Sequence, residues 1–162
     1  MNGVAVLQEV MSFNDFVLTK YLDDLSDADL LVRPAPGANH IAWQLGHLIS
    51  AEKGIVSGQL PGSAYPELPA GFDAQHSKET TTKDVGFLSK AQYLDLYAKV
   101  RAATRAALTK VSDSDLDKPS TGRMAAMFPK LGSVLHLAAN HPMMHAGQFA
   151  VVRRKLGKPV VI

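Results

Sequence analysis

The stretch from Ser133 to Leu156, SVLHLAANHPMMHAGQFAVVRRKL, decides the fold. Val134, Leu137, His141, His145, Gln148 and Val152 recur at spacings of three and four, so they share one stripe of a helix. Gly157 can cap its C-terminus and Pro159 prevents continuation. Three earlier stretches repeat the pattern. Leu7, Val10, Met11, Val17, Leu18, Tyr21 and Leu25 make the first stripe. In the second, Asn39 is expected to cap a helix carrying Ile41, Trp43, Leu45, Leu48 and Ile55, fraying near Gly54 or Gly58. In the third, Ser89 is the expected cap, and Tyr93, Tyr97, Val100, Thr104, Ala107, Leu108 and Val111 share a face. No useful length shows strict strand-like alternation. The expectation is an all-α, four-helix bundle, with residues 1–162 forming one domain.

Composition narrows the function classes. The chain has 162 residues, 46% of them hydrophobic and 20% charged, which suits a soluble domain. Seventeen basic and 15 acidic side chains leave a formal charge of +2. That excess does not call for nucleic acid, and no basic stripe interleaved with aromatics appears. Arg153, Arg154 and Lys155 read as a solvated last helical turn before they read as a phosphate site. The absence of cysteine excludes disulfides, thiolate metal sites and a cysteine nucleophile. No leader pattern and no membrane-length apolar run is visible, so a cytoplasmic location is expected.

The connections carry their own signals. Gln59 to Leu88, between the second and third long helices, holds Pro61, Pro66, Pro69, Gly62, Gly71 and Gly86. Such a long loop is either a functional lid or a surface excursion. A short repeat also appears. Leu25-Ser26-Asp27-Ala28-Asp29-Leu30 precedes Arg33-Pro34, and Val111-Ser112-Asp113-Ser114-Asp115-Leu116 precedes Lys118-Pro119. It suggests two related helical hairpins.

The sharpest chemical feature is His141-Pro142-Met143-Met144-His145. Residues four apart sit about 40° apart around a helix, one turn above the other, so two imidazoles can converge on one ion. Buried imidazoles need partners for their nitrogens. A divalent zinc, nickel or iron ion can provide one, although such pairs also occur as ordinary surface or core residues. His47, on the inward stripe with Trp43, Ala51 and Gly54, is a candidate third ligand. Three histidines with an open position suit a catalytic rather than a structural metal site. His40 belongs near a helix start, His136 points elsewhere, and His76 lies in the long loop within possible reach of the open position. Pro142 stands where a His-Glu-x-x-His protease places its glutamate, which disfavours protease chemistry and predicts a kink or bulge in the helix.

Trp43-Gln44-Leu45-Gly46-His47-Leu48, then His141-x-x-x-His145-Ala146-Gly147-Gln148 and Arg153-Arg154-Lys155-Leu156-Gly157-Lys158-Pro159, resemble the DinB-like (YfiT-like) superfamily in order and over nearly the whole chain. The resemblance implies an up-down-down-up bundle with a long crossover, often a homodimer. It also implies a three-histidine site for nickel, zinc or a similar ion at His47, His141 and His145. Some relatives resemble thiol-dependent S-transferases, so the expected partner is a small-molecule substrate or a thiol. Trp43, Met144 and Gln148 are the candidate substrate-binding residues, and Gln44 or Gln148 could orient the bound group. The alternative is a non-catalytic metal- or ligand-binding stress-response module.

Overall fold

Each long helix begins where something nearby can satisfy its free N–H groups. The computed structural model describes residues 1–162. In chain order the helices are α1 (Gly3–Leu22), α2 (Ile41–Gln59), the single turn α3 (Phe72–Gln75), α4 (Lys90–Leu108) and α5 (Leu131–Lys155). Asn2 caps α1 by accepting from the Ala5 amide at 2.9 Å. Ser89 caps α4 in a reciprocal box with Gln92, as its sequence predicts. The cap of α2 is His40 rather than Asn39. Its Nδ1 accepts from the Trp43 amide at 3.0 Å, while the Asn39 carbonyl is taken by the Gln44 side chain. The α5 helix starts at Leu131, ahead of Ser133, because the Leu131 amide is held by the Lys118 carbonyl at 2.8 Å. It ends on Gly157, whose φ of 70° suits the glycine stop. Apart from one isolated bridge between Pro119 and Lys130, there is no β structure. No helix is long and apolar enough to cross a membrane. The α5 helix also passes Pro142 as unbroken α-helix, so the expected bulge is absent.

The sequence repeat is a structural repeat with an unexpected use. In each copy a serine and an aspartate three residues on exchange hydrogen bonds: Ser26 with Asp29, and Ser112 with Asp115. The second residue of each copy then caps the other half of the chain. Asp27 accepts from the Lys90 amide at 2.6 Å, at the start of α4. Asp113 accepts from the Gly3 and Val4 amides at 3.2 and 3.1 Å, at the start of α1. The halves are therefore interlocked and not separate hairpins. The α1 helix packs on α5, and α2 packs on both α4 and α5, so helices consecutive in sequence stand diagonally.

Directions follow from the contacts. Asn14 meets Ala139 and Tyr21 meets Arg153, so α1 and α5 run the same way. Glu52 meets Arg101, and Val56 packs in one cluster with Ala107 and Leu108, so α2 and α4 also run the same way. The order is up-down-down-up. Between two parallel neighbours the chain must travel back along α2, whose 19 residues rise about 28 Å. That return explains the length of the segment after Gln59.

The returning segment is fastened. Trp43 Nε1 donates to the Ser77 carbonyl at 3.2 Å and His40 Nε2 to the Lys83 carbonyl at 3.0 Å. Arg33 donates to the carbonyls of Thr81 and Lys83 and pairs with Asp84. Of the two sequence readings, the packed excursion fits these contacts. Between α1, α2 and α4 lies a buried polar network. Arg101 donates to Asp15 at 2.7 Å, to Glu52 at 3.0 Å and to the Met11 carbonyl at 3.2 Å. Arg153 is also buried, contrary to the solvated-turn reading. It pairs with Asp24 and donates to the carbonyls of Tyr21 and Pro159, tying the end of α5 to that of α1.

His76 is wedged against α2 at Gly46. Its Nδ1 donates to the Phe72 carbonyl and its Nε2 accepts from the Tyr93 hydroxyl, both at 2.7 Å. A Cβ on Gly46 would lie 2.0 Å from this ring. Gly46→Ala should therefore destabilise the protein by about 2 kcal/mol or more through overpacking. Chemical denaturation should show a smaller loss when the same change is made in a His76→Ala background.

Candidate metal centre

The antiparallel contact of α2 and α5 brings His47, His141 and His145 together. One ligand atom from each lies within 4.8 Å of the others, and no carboxylate joins the group. Ring centroids stand 5.2 Å apart for His47 and His141, 5.4 Å for His47 and His145, and 4.9 Å for His141 and His145. The Nε2 atoms of His141 and His145 are 3.2 Å apart. Two nitrogens about 2.1 Å from one tetrahedral ion lie about 3.4 Å apart, so this spacing fits a shared ion.

Hydrogen bonding sets which nitrogen of His145 is free. The Gln44 amide donates through Nε2 to the Asn39 carbonyl at 2.8 Å, which turns its Oε1 toward His145. That oxygen accepts from His145 Nδ1 at 2.8 Å, leaving the Nε2 lone pair aimed at His141. Such a partner fixes tautomer and ring orientation and raises ligand basicity. Gln44 thus acts on a candidate ligand, a different role from the one its sequence suggested. The i, i+3 spacing of Gln44 and His47 was the only sequence signal for it.

All three imidazoles are held neutral. Burial, then the charge of His47, pushes His141 down to about 4. Burial, then the charges of His141 and His47, pushes His145 down to about 3. His47 is lowered by burial and then by the Lys78 ammonium. Neutral imidazoles are the form that ligates a metal, so the donor set fits a divalent ion.

The other sequence candidates fall into two groups. Trp43 is buried, and its ring stacks on His47 with centroids 5.1 Å apart and planes 7° apart. Met144 is 63% exposed on the next turn, and Gln148 is exposed without a hydrogen bond inside the chain. His40 is a helix cap, His136 is exposed beside Asn140, and His76 is committed to Phe72 and Tyr93 rather than to the triad. Glu52 is bound to Arg101. A cleft of about 300 Å³ between α1 and α4 contains no histidine, and its Asp15 is already paired with Arg101 and Arg105.

A helical bundle of up-down-down-up order with three converging histidines is the class of protein defined by this geometry. The chain belongs to the DinB superfamily, whose DinB_2 profile matches residues 17–149. Among solved structures it is similar to a DinB-like protein from Bacillus cereus, at 26% identity and TM-score 0.71, covering 96% of this chain and 94% of that one. YfiT from Bacillus subtilis, at 16% identity and TM-score 0.69, covers 96% and 89%; that protein is described as a probable metal-dependent hydrolase with an unusual four-helix bundle topology. A conserved protein from Enterococcus faecalis, at 19% identity and TM-score 0.74, covers 98% and 99%. The last two likenesses concern the fold alone. No curated protein matches.

Two outcomes follow. Trp43 is the only tryptophan and stacks on a candidate ligand, so adding nickel or cobalt should quench its fluorescence, and His145→Ala should remove the saturable quench. For the metal-free protein, folded His141 and His145 titrate below the ordinary 6.5, so between these values the unfolded chain binds more protons. Their contribution is whole above pH 6.5 and is lost as pH falls toward 4. Melting temperature should drop between pH 7 and pH 5, and a flat profile would contradict the neutral triad.

Proposed function

We propose that this chain is a metal-dependent enzyme in which His47, His141 and His145 hold one divalent nickel, zinc or iron ion, and that it transfers a low-molecular-weight thiol to an electrophilic small molecule. The observation that carries this reading is the convergence of three neutral imidazoles with no carboxylate beside them. A divalent ion held by three uncharged ligands keeps open coordination positions and its full charge, and so lowers the pKa of a ligating thiol or water.

The chain's residues prepare the site. Gln44 keeps the Nε2 lone pair of His145 free, and Trp43 packs flat against His47 to fix its plane. Burial keeps protons off His141 and His145 at neutral pH. In the transfer, the sulfur forms a bond to carbon, the bond from that carbon to its leaving group breaks, and the thiol proton passes to solvent. A thiol is already acidic enough to lose that proton without a side-chain base. Hydrolysis is the second reading, favoured by the description of YfiT. Water is a far weaker acid, and the nearest buried carboxylate on α2, Glu52, is bound to Arg101. The thiol is therefore preferred.

Elemental analysis of the purified protein should find about one transition-metal ion per chain. The loaded protein should conjugate a small thiol to 1-chloro-2,4-dinitrobenzene, and His145→Ala should lower the rate by at least about 100-fold, as loss of a ligand predicts. Hydrolysis of nitrophenyl esters without conjugation would favour the second reading. Tight metal binding with neither activity would leave the non-catalytic module.

A further inference from the structure

The candidate metal centre has an uncompensated cation on its rim. Lys78 opens a 3₁₀ turn, Lys78–Thr80. The residues on either side hold the Trp43 indole: the Ser77 carbonyl at 3.2 Å and the Thr80 hydroxyl at 3.4 Å accept from Nε1. That indole is the ring stacked on His47. The backbone that carries Lys78 is thus fastened to the same side chain that flanks a candidate ligand. Thr80 is buried and also donates to the Gln75 carbonyl at 2.7 Å, so the turn is fixed at both ends.

The Lys78 side chain itself is exposed and makes no ion pair or hydrogen bond within the chain. Its charge is felt at His47. The neighbouring Glu79 is exposed and turned back to Ser77, and no aspartate or glutamate acts on His47, His141 or His145. The centre therefore has neutral ligands, a cationic rim and no acidic counterweight. With a divalent ion in place, such a site attracts a substrate that brings more than one negative charge.

We propose that Lys78 is a specificity-determining residue that recognises an anionic group on the thiol substrate, a carboxylate or sulfonate a few bonds from the sulfur. This rests on the thiol reading above, and it adds a substrate class and the residue that selects it. Sulfur occupies the position facing the three histidines, and the anionic group faces the Lys78 ammonium. Neutral and cationic thiols lack that second contact.

The test uses cobalt-loaded full-length protein at low ionic strength. Three matched thiols are titrated: 2-mercaptoethanesulfonate, 2-mercaptoethanol and thiocholine. The readout is the near-ultraviolet thiolate-to-cobalt charge-transfer band. Affinity should fall in that order. Lys78→Met should weaken 2-mercaptoethanesulfonate roughly fivefold, as loss of one partly screened charge contact predicts, and leave 2-mercaptoethanol unchanged. Lys78→Glu should reverse the order of the sulfonate and thiocholine. Unchanged cobalt d–d bands in both variants confirm an intact centre. Equal affinities for the three thiols, or an order indifferent to both variants, would overturn the role of Lys78 while leaving thiol binding standing. A missing charge-transfer band with every thiol would overturn the thiol reading, and this inference with it.

Discussion

The parallel run of α2 and α4 is the constraint on which the rest of the structure depends. Two neighbouring helices that point the same way cannot be joined by a short turn, so residues 60–89 must travel back along the bundle. A segment of that length carries many backbone polar groups that need partners. The side chains at the start of α2 supply several. His40 and Trp43 donate to its carbonyls, Arg33 adds two more bonds, and His76 enters the gap that Gly46 leaves. The same fastening places Trp43 flat on His47 and brings Lys78 to the edge of the histidine cluster. The crossover demanded by topology thus becomes one wall of the candidate site.

The bundle treats buried charge and buried histidine differently. Arg101, Asp15, Glu52 and Arg105 are brought together with opposite signs, so each desolvated charge has a partner. The same holds for Arg153 with Asp24. The three clustered histidines receive no such counter-charge. They stay neutral, and two of their lone pairs face each other across 3.2 Å. Stability drawn from the carboxylate network is spread over α1, α2 and α4. The histidine cluster adds little by itself and concentrates unsatisfied donor capacity at one point between α2 and α5. That contrast separates a structural polar network from a site built to receive a ligand.

The two acidic turns show how a repeat can hold a fold together without making independent halves. Each serine–aspartate pair closes its own turn, and the intervening aspartate caps a helix of the other half. Charge at a helix N-terminus is favourable against the helix dipole, and here the benefit is exchanged between the halves. Neither half has its caps complete alone.

The sequence by itself determined what is local. Periodic apolar residues gave four long helices, Ser89 and Gly157 marked ends where neighbouring atoms suffice, and the i, i+4 spacing put His141 and His145 on one face. Family resemblance supplied His47 as the third member, and the geometry brings it to the other two. Tertiary structure alone decided the rest. Asn39 lost the cap to His40, Arg153 went inside rather than into solvent, and consecutive helices became diagonal. The partnership of Gln44 with His145 spans 101 residues, and the placing of Ser77 and Lys78 beside Trp43 depends on how the crossover lies. Short-range pattern fixes which face a side chain occupies on its own helix. What that face meets depends on helix order and direction, which are set by packing the whole chain at once.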